Sequence, residues 1–456
     1  MIHDHRLSLV LANNSGEQGD YVLYWMQQSQ RVSDNHALDF AIYLANKHHL
    51  PLLVVFVVTH NFLGANERHY TFMFEGLAEV EKVLKEKNIN FAVKVGEFSP
   101  IISSFAKDAH SVVFDFGYLR PQRAWRREVL DRIIFEKLQT NVYLVESDLI
   151  VPVRQAYSKV AYGAYVLRPH IMKKFKEYLD TPLGLGIDNK KELDIKSDIN
   201  LGDLSFIENL NIDHSVKKSP YFHGGYMEAQ KHLTNFVTNK LVAYPKRSDP
   251  SLNIQSYLSM YLQFGQISSL EILMSINNLD VEEALKDEFI EQLLVRRELA
   301  YNYVFYNKNH DSFEEMTEPW AYETMKIHTS DKREYIYSKA DIEAALTHDE
   351  YFNAAMIEMK KTGFMANYMR MYWAKQIITW TNTYEEAYCF IVELNNKYFI
   401  DGRNPNSYMN IAWCFGKMDR PWPEKHVWGK LRSMNASGLK RKFNIDAYVK
   451  QIDELL

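Results

Sequence analysis

The chain is poor in cysteine. Cys389 and Cys414 are the only two in 456 residues, and no CxxC pair is present. That excludes a disulfide framework and makes the cytoplasm the default compartment. Long apolar runs are also missing. None reaches the ~20 residues that a membrane-spanning helix requires, so no membrane partner is expected. The opening MIHDHRLSLV has neither a basic n-region nor a long apolar core, and does not read as a secretory signal. An excess of positive charge is absent: 53 Lys and Arg stand against 58 Asp and Glu, for a net charge of −5. The field of the whole molecule therefore does not draw in nucleic acid, and any such binding must come from a local patch. There is no GxGxxG or Walker motif, no fixed-period repeat and no low-complexity tract. No metal site is read.

What is present is an ordinary globular composition with a high aromatic content, 14%, including 29 Tyr, 25 Phe and 8 Trp. That content suits flat ligands to stack, and equally a large helical core. The length exceeds what one core supports, so two domains are expected. The first third alternates. YVLYWM, LPLLVVFVVTH, FAVKVG, SVVFDF and NVYLVES read as strands. DNHALDFAIYLANKHH, with an Asp at its N-cap, is the first helix between them. HYTFMFEGLAEVEKVLKEKN, SPIISSFAKDA and PQRAWRREVLDRIIFEKL follow. This order predicts a doubly wound parallel sheet over residues 18–180, with ligands beyond the strand carboxyl ends. Residues 181–219 are polar and weakly periodic, and read as a connector crossing the surface of the first domain. From 220 to 456 the pattern is helical. The expected fold class is thus α/β followed by all-α.

Several side chains stand out for chemistry. Trp373 and Trp380 lie seven residues apart, about two helical turns, and share one face. Indoles so spaced can pass an electron inward, or simply pack in a core. Arg370, Asn395 and Asp401 are polar groups in an apolar context. They suit a polar ring edge, or an interhelical salt bridge with a helix cap. Glu298, in VRREL, is either a cleft carboxyl for a substrate amide or a carboxylate neutralised by Arg296 or Arg297. Ser256 and Ser259, with Gly265, suit phosphate oxygens or ordinary capping. Near the C-terminus Trp413, Arg420 and Trp422 precede Lys425, Lys430, Arg432, Lys440, Arg441 and Lys442. Aromatics among cations suit an unstacked nucleobase and its backbone, or a solvated basic face.

Taken in order, YWMQQSQRVSDNHAL, YLSMYLQFGQIS, VRREL, MRMYWAKQIITW, LNNKYFIDGRNPNSY, IAW, DRPW and GLKRKF carry a resemblance. From about Tyr21 to Tyr448 the chain resembles class II cyclobutane pyrimidine dimer photolyases of the photolyase/cryptochrome superfamily. The resemblance implies a Rossmann-like antenna domain and a helical domain that holds FAD, active as reduced FADH⁻. Tyr244, Ser256, Leu258 and Ser259 would line its phosphates and ribityl chain. Asn395 would face flavin N5, and Arg370 with Asp401 and Gly402 would lie beside the ring. An 8-hydroxy-5-deazaflavin-type antenna in the α/β domain is the further cofactor implied.

The implied partner is double-stranded DNA containing a pyrimidine dimer, bound by a monomer in the cytoplasm, on the nucleoid when engaged. Glu298 would contact the dimer, Trp413 would pack on it, and Arg420 would fill the gap left in the duplex. Arg247, Trp422, Lys430, Arg432, Lys440 and Arg441 would meet DNA. Trp373 and Trp380 would be the inner and outer members of a photoreduction chain. Its middle position is Phe352, where the family has Trp. Further departures are Ser248, Ile254, Tyr257, Met260, Gln263, Tyr301, Asn404 and Met418. The function implied is light-driven repair of the dimer by electron transfer from excited FADH⁻. The alternative is a cryptochrome-like photoreceptor on the same scaffold.

Overall fold

A computed structural model describes residues 2–13, 18–60, 62–179 and 181–455. Six strands form one sheet in the order β1-β6-β5-β2-β3-β4. They are β1 (Leu7–Leu11), β2 (Tyr21–Met26), β3 (Leu52–Val58), β4 (Asn90–Val95), β5 (Ala109–Asp115) and β6 (Asn141–Val145). β2 to β6 are parallel, as the alternation predicts. β1 is an addition: it pairs antiparallel to β6 at one edge. Its five residues are too short and too exposed to announce a strand by hydrophobic pattern.

β2 and β3 are buried along their whole length because helices cover both faces. Side-chain alternation sorts the core. Val22, Tyr24, Val54 and Phe56 pack towards α1 (His36–Lys47) and α2 (Glu67–Glu86). Leu23, Trp25, Leu53 and Val55 pack towards α3 (Phe98–Ala106) and α4 (Arg120–Phe135). The cap of α1 is Asn35 rather than Asp34. The Asn35 carboxamide oxygen accepts from Ala37 N at 3.0 Å and Leu38 N at 3.1 Å, while Asp34 takes a left-handed turn at φ 48°.

The 181–219 segment runs along the outer edge of β4. Asp198 N donates to Val93 O at 2.8 Å, and Val95 N donates to Asp198 Oδ2 at 2.9 Å. An edge that would otherwise expose its hydrogen-bonding groups is thereby covered. Beyond it the helices gather round one large apolar core that reaches back to Phe72, Phe116 and Ile150 of the α/β layer. Long periodic runs in the sequence prove to be interrupted. The 256–276 run breaks into helices Ser259–Gln263 and Ser269–Asn277 at Gly265, whose φ is 65°. A Cβ there would lie 2.0 Å from Gln28 O, so the backbone of the turn rests directly on the loop after β2. The 281–305 run is helix Glu283–Ile290, a π turn Glu291–Arg296, and helix Arg297–Tyr306. No helix among the described residues is long and apolar enough to cross a membrane, and both cysteines are free.

The loop after β6 ties the two layers together. Arg297 Nη2 meets Asp148 Oδ1 at 2.6 Å with both side chains buried. Glu298 accepts from Ile150 N at 2.7 Å. Arg6 donates to Leu149 O at 2.8 Å and Ile150 O at 2.6 Å. Burial pushes the Glu298 carboxyl up to about 8, against the pull of Arg297 and the two backbone N–H groups of Ile150 and Val151.

Two outcomes follow from this loop. Arg297→Ala strands Asp148 and should lower unfolding stability by about 3–5 kcal/mol in denaturant titrations. For Glu298 the folded carboxyl keeps a proton that the unfolded chain releases near its ordinary value of 4.5. Native protein therefore binds more protons between that pH and about 8, and stability falls as pH rises across the window. Glu298→Gln should flatten that fall, read as the difference in melting temperature between pH 5 and pH 8; an unaltered slope would reject the assignment.

Candidate functional site

A cavity of about 560 Å³ opens among the helices. Its inner wall is the start of helix Asn367–Trp380 and the turn after helix Tyr384–Tyr398. There Arg370 Nη1 meets Asp401 Oδ1 at 2.8 Å, and Ser259 Oγ donates to Asp401 Oδ2 at 2.6 Å. Arg370 Nε donates to Met365 O at 2.8 Å, and the guanidinium lies 4.0 Å from the Phe399 ring centroid. Both carboxylate oxygens and two edges of the guanidinium are thus held, which fixes the pair as a rigid polar corner. Gly402 does not line the cavity. A Cβ on it would meet Asn395 O at 2.7 Å, so its bare backbone lets the turn close against the preceding helix.

Asn395 reaches the cavity with a defined polarity. The Arg403 backbone N–H can only donate, and it donates to Asn396 Oδ1 at 3.2 Å. The atom of Asn395 bonded to that same oxygen, at 3.0 Å, is therefore the amide Nδ2. Its carbonyl oxygen is left to face the cavity as an acceptor. Arg403 itself is non-glycine at φ 59°, held by its guanidinium against Asn396 O and His69 Nε2.

Tyr244, Ser256, Leu258 and Ser259 form another part of the wall. The two serines do not sit along one helix. Residues 253–258 are irregular, with Tyr257 left-handed at φ 58° and its ring T-shaped on Phe364 at 4.8 Å. Among the described residues, two buried donors on the cavity wall have no partner: Trp373 Nε1 and Gln255 Nε2. A ligand rich in acceptor oxygens and ring nitrogens would satisfy both. FAD has those atoms, and the residues present fit it.

The outer wall carries Trp413, with the Arg296 guanidinium 5.8 Å from its ring centroid. Arg247 and Arg432 also line it. Arg247 pairs with Glu288 at 2.6 Å and lies over Tyr244. Arg432 lies 5.4 Å from the ring of Trp422, whose Nε1 donates to Asp419 Oδ1 at 3.1 Å. Arg420, Trp422, Lys430, Lys440 and Arg441 are exposed and none of the five lines the cavity. Arg420, Trp422 and Lys430 lie on the loop that carries the Arg432 rim. Lys440 and Arg441 are on the separate helix Ala436–Lys442.

Glu298 does not line the cavity. It is buried on helix Arg297–Tyr306, facing the loop after β6, where the backbone N–H groups of Ile150 and Val151 donate to its oxygens. The side chains of that helical stretch that do line the cavity include Gln292, Arg296 and Arg297. The i, i+4 spacing of Gln292 and Arg296 marks a polar stripe and was the signal available in the sequence.

Trp373 lines the cavity; Trp380 and Phe352 do not. Phe352 is fully buried, its ring T-shaped on Trp380 at 4.8 Å. Tyr372 donates its hydroxyl to Asp349, and Tyr351 donates to Asp446 at 2.7 Å. Tyr368 lines the cavity and packs on Phe443.

A second cavity of about 100 Å³ lies beyond the carboxyl ends of β2 and β3, between Phe62, Phe98 and Trp125. Gln27 enters it with both amide atoms buried and unpartnered, as is Gln30 Oε1. Among the described residues, no group of three His, Cys, Asp or Glu is placed to hold a metal.

The DNA photolyase family model matches residues 22–184. Similarity extends well beyond that span. A deoxyribodipyrimidine photo-lyase of Methanothermobacter thermautotrophicus is 40% identical over 457 residues, covering 100% of each chain. Its counterpart in Arabidopsis thaliana is 36% identical, covering 95% of this chain and 89% of its own. Among solved structures, a class III photolyase from Agrobacterium tumefaciens superposes with a TM-score of 0.74 at 18% identity, over 96% of this chain and 87% of its own; that likeness concerns the fold. With its sheet, its helical cavity and end-to-end identity to these relatives, the chain belongs to the DNA photolyase family.

Proposed function

We propose that this protein is a deoxyribodipyrimidine photo-lyase of class II, which repairs cyclobutane pyrimidine dimers in DNA under light. The observation that carries the reading is 40% identity over the full length of a relative bearing that name. The polar corner of Arg370, Asp401 and Ser259, with the unpartnered Trp373 and Gln255 donors, supports it. We assign residues 18–180 to an antenna domain, 181–219 to a connector and 220–456 to the domain that binds FAD and substrate.

FAD held against the Arg370, Asp401 and Ser259 corner would supply the light-driven one-electron chemistry that opens the cyclobutane ring. The protein binds, orients and excludes water. Arg370 and Asp401 offer a donor and an acceptor at fixed positions for a polar ring edge, and Asn395 presents its carbonyl oxygen to a ring nitrogen that carries a proton. Trp413 provides the flat surface for the extruded dimer, and extrusion is least costly at damaged, poorly stacked sites. Arg296 over Trp413 adds a cation close to the lesion's backbone. Arg420, Trp422, Lys430 and Arg432 form the basic rim, which overcomes the net charge of −5 locally. The cavity beyond β2 and β3 is our site for an 8-hydroxy-5-deazaflavin-type antenna, with the Gln27 amide reading a carbonyl and N–H edge.

The experiment that tests this function is light-dependent repair of a thymine-dimer oligonucleotide by chemically pre-reduced protein, with a dark control. Repair in the light alone is expected; no repair would reject the reading. Asp401→Ala removes the acceptor of both Arg370 and Ser259. It should weaken flavin retention about 10- to 100-fold, measured as fluorescence of released FAD on dilution. Phe352→Trp should accelerate photoreduction of oxidised flavin, because phenyl is far harder to oxidise than the indole it replaces. It should leave repair by pre-reduced protein little changed. Phe352 is fully buried, so overpacking of about 1–3 kcal/mol is expected and the melting temperature is the companion measurement. Wild type photoreducing as fast as the variant would mean that the electron bypasses this position.

A further inference from the structure

The loop 419–433 carries the outer rim, and one histidine holds it down. Helix Pro319–His328 ends against the loop, and the turn after it runs to Arg333. Arg333 is buried and fixes that turn. It donates to His328 O at 3.2 Å, to Asp331 O at 2.6 Å and to Thr381 O at 3.2 Å. The loop is closed on itself by Lys425 and Gly429, whose backbone groups exchange hydrogen bonds at 2.9 and 2.7 Å, and by Trp422 N on Lys430 O at 2.9 Å. It then settles on the helix and the turn through its own backbone. Val427 N donates to Asp331 Oδ2 at 2.7 Å, and Lys430 N donates to Thr324 Oγ1 at 2.9 Å. Gly429, at φ 53°, lies so close that a Cβ would stand 2.6 Å from the His328 ring carbon Cδ2.

His328 is engaged at both ring nitrogens. Nδ1 meets Asp331 Oδ2 at 2.7 Å on its own turn, and Nε2 meets Glu424 Oε1 at 2.9 Å on the loop. Ionised carboxylates only accept, and a neutral imidazole carries a single N–H. Both bonds are therefore made together only by the imidazolium. The other charged groups at this contact are Arg333, bound to the His328 carbonyl, and His426, whose Nε2 stands 4.0 Å from Asp331 Oδ2. Asp331, opposed by burial and joined by Glu424, holds the imidazole above its ordinary value of 6.5. The Val427 N–H and then His328 hold the Asp331 carboxyl below its ordinary value of 3.8. The two shifts agree in sense: each partner favours the charged form of the other.

We propose that His328 is a positioning residue for DNA recognition: as an imidazolium it clasps the loop 419–433 to the turn after helix Pro319–His328, and so presets Arg420, Trp422, Lys430 and Arg432 for damaged duplex. The clasp rests on the repair reading, which assigns that loop to DNA. A loop fixed before its partner arrives surrenders less freedom on binding. The proton makes the fixing conditional. Below the ordinary imidazole value the clasp is complete. As pH rises through the raised value of the folded protein the ring loses one proton, and one carboxylate then faces a lone pair. Asp331 is the nearer partner and the less exposed, 22% against 54% for Glu424, so it keeps the remaining N–H and the Glu424 arm is released. Dark affinity for damaged duplex therefore falls across that window.

The test has two arms, both on flavin-loaded protein. The first is an NMR titration of ring-labelled histidine, with the His328 signal identified by its loss in His328→Gln. Its midpoint should lie above 6.5 in wild type and move down in Glu424→Gln. The second is dark affinity for a thymine-dimer duplex at fixed ionic strength, at about pH 6 and about pH 8.5, for wild type, both single variants and the double variant. At the lower pH each single variant should bind about two- to fivefold more weakly, and the double variant no more weakly than either, because all three lack the same contact. At the higher pH these losses should vanish. The remaining histidines shift all four proteins alike. Removing a negative charge beside the phosphates would by itself strengthen binding, so weaker binding by Glu424→Gln is not a charge effect. An unmoved His328 midpoint in Glu424→Gln, or losses as large at the higher pH as at the lower, would overturn the proposal. Glu424 is exposed, so the two-pH comparison of its variant decides even where His328→Gln fails to fold. Wild type binding no duplex would overturn the repair reading and the DNA role of the clasp with it; the titration, which needs no DNA, tells that failure from failure of the clasp itself.

Discussion

The Arg297–Asp148 ion pair, with its neighbour Glu298, is the contact on which the arrangement of this molecule depends. Both charges are buried, 2.6 Å apart, at the seam between the sheet and the helices. A buried pair is costly to desolvate, and its worth here is positional. It fastens the loop after β6 to the first turn of helix Arg297–Tyr306. Glu298 repeats the attachment through the backbone of Ile150. The π turn immediately before that helix thus has one face set by the sheet, and the opposite face is delivered to the cavity. Gln292, Arg296 and Arg297 line the cavity, while Glu298 is turned to the backbone of Ile150.

The inner end of the cavity is held by a different device. There, rigidity comes from saturation. Asp401 is bound at both oxygens and Arg370 at two of its edges. Asn395 is oriented through Asn396 by a backbone N–H that cannot reverse its role. A polar group whose partners are all fixed loses little freedom when a ligand arrives, which favours binding and keeps donors and acceptors aimed. The few buried donors left without partners, on Trp373 and Gln255, are then the informative ones. The outer end is more exposed, as suits a surface that receives DNA.

Much of this was legible beforehand. Period-two and period-3.6 patterns identified five of the six strands and the helices between them, since burial on one or two faces imposes those periods. The Arg370–Asp401 pair and the serines near the cavity were recognisable by residue type and by resemblance. The breaks were less visible. Gly265, the π turn at Glu291–Arg296 and the left-handed Tyr257 each interrupt an apolar run that reads as continuous. Local pattern is blind to a turn that is stabilised from outside the segment, as Gly265 is by the loop after β2.

Sequence by itself determined the fold class, the family and the set of aromatic and charged groups from which the site is built. These follow from periodicity and residue chemistry, which act over a few residues at a time. Only the tertiary structure decided which of those groups face one another. Glu298 and Gln292 are six residues apart on one helical stretch and project from different faces. Periodicity separates them but cannot tell which face the cavity occupies. That choice was made by Asp148 and Ile150, about 150 residues away in the chain, where a buried arginine and carboxyl found their partners.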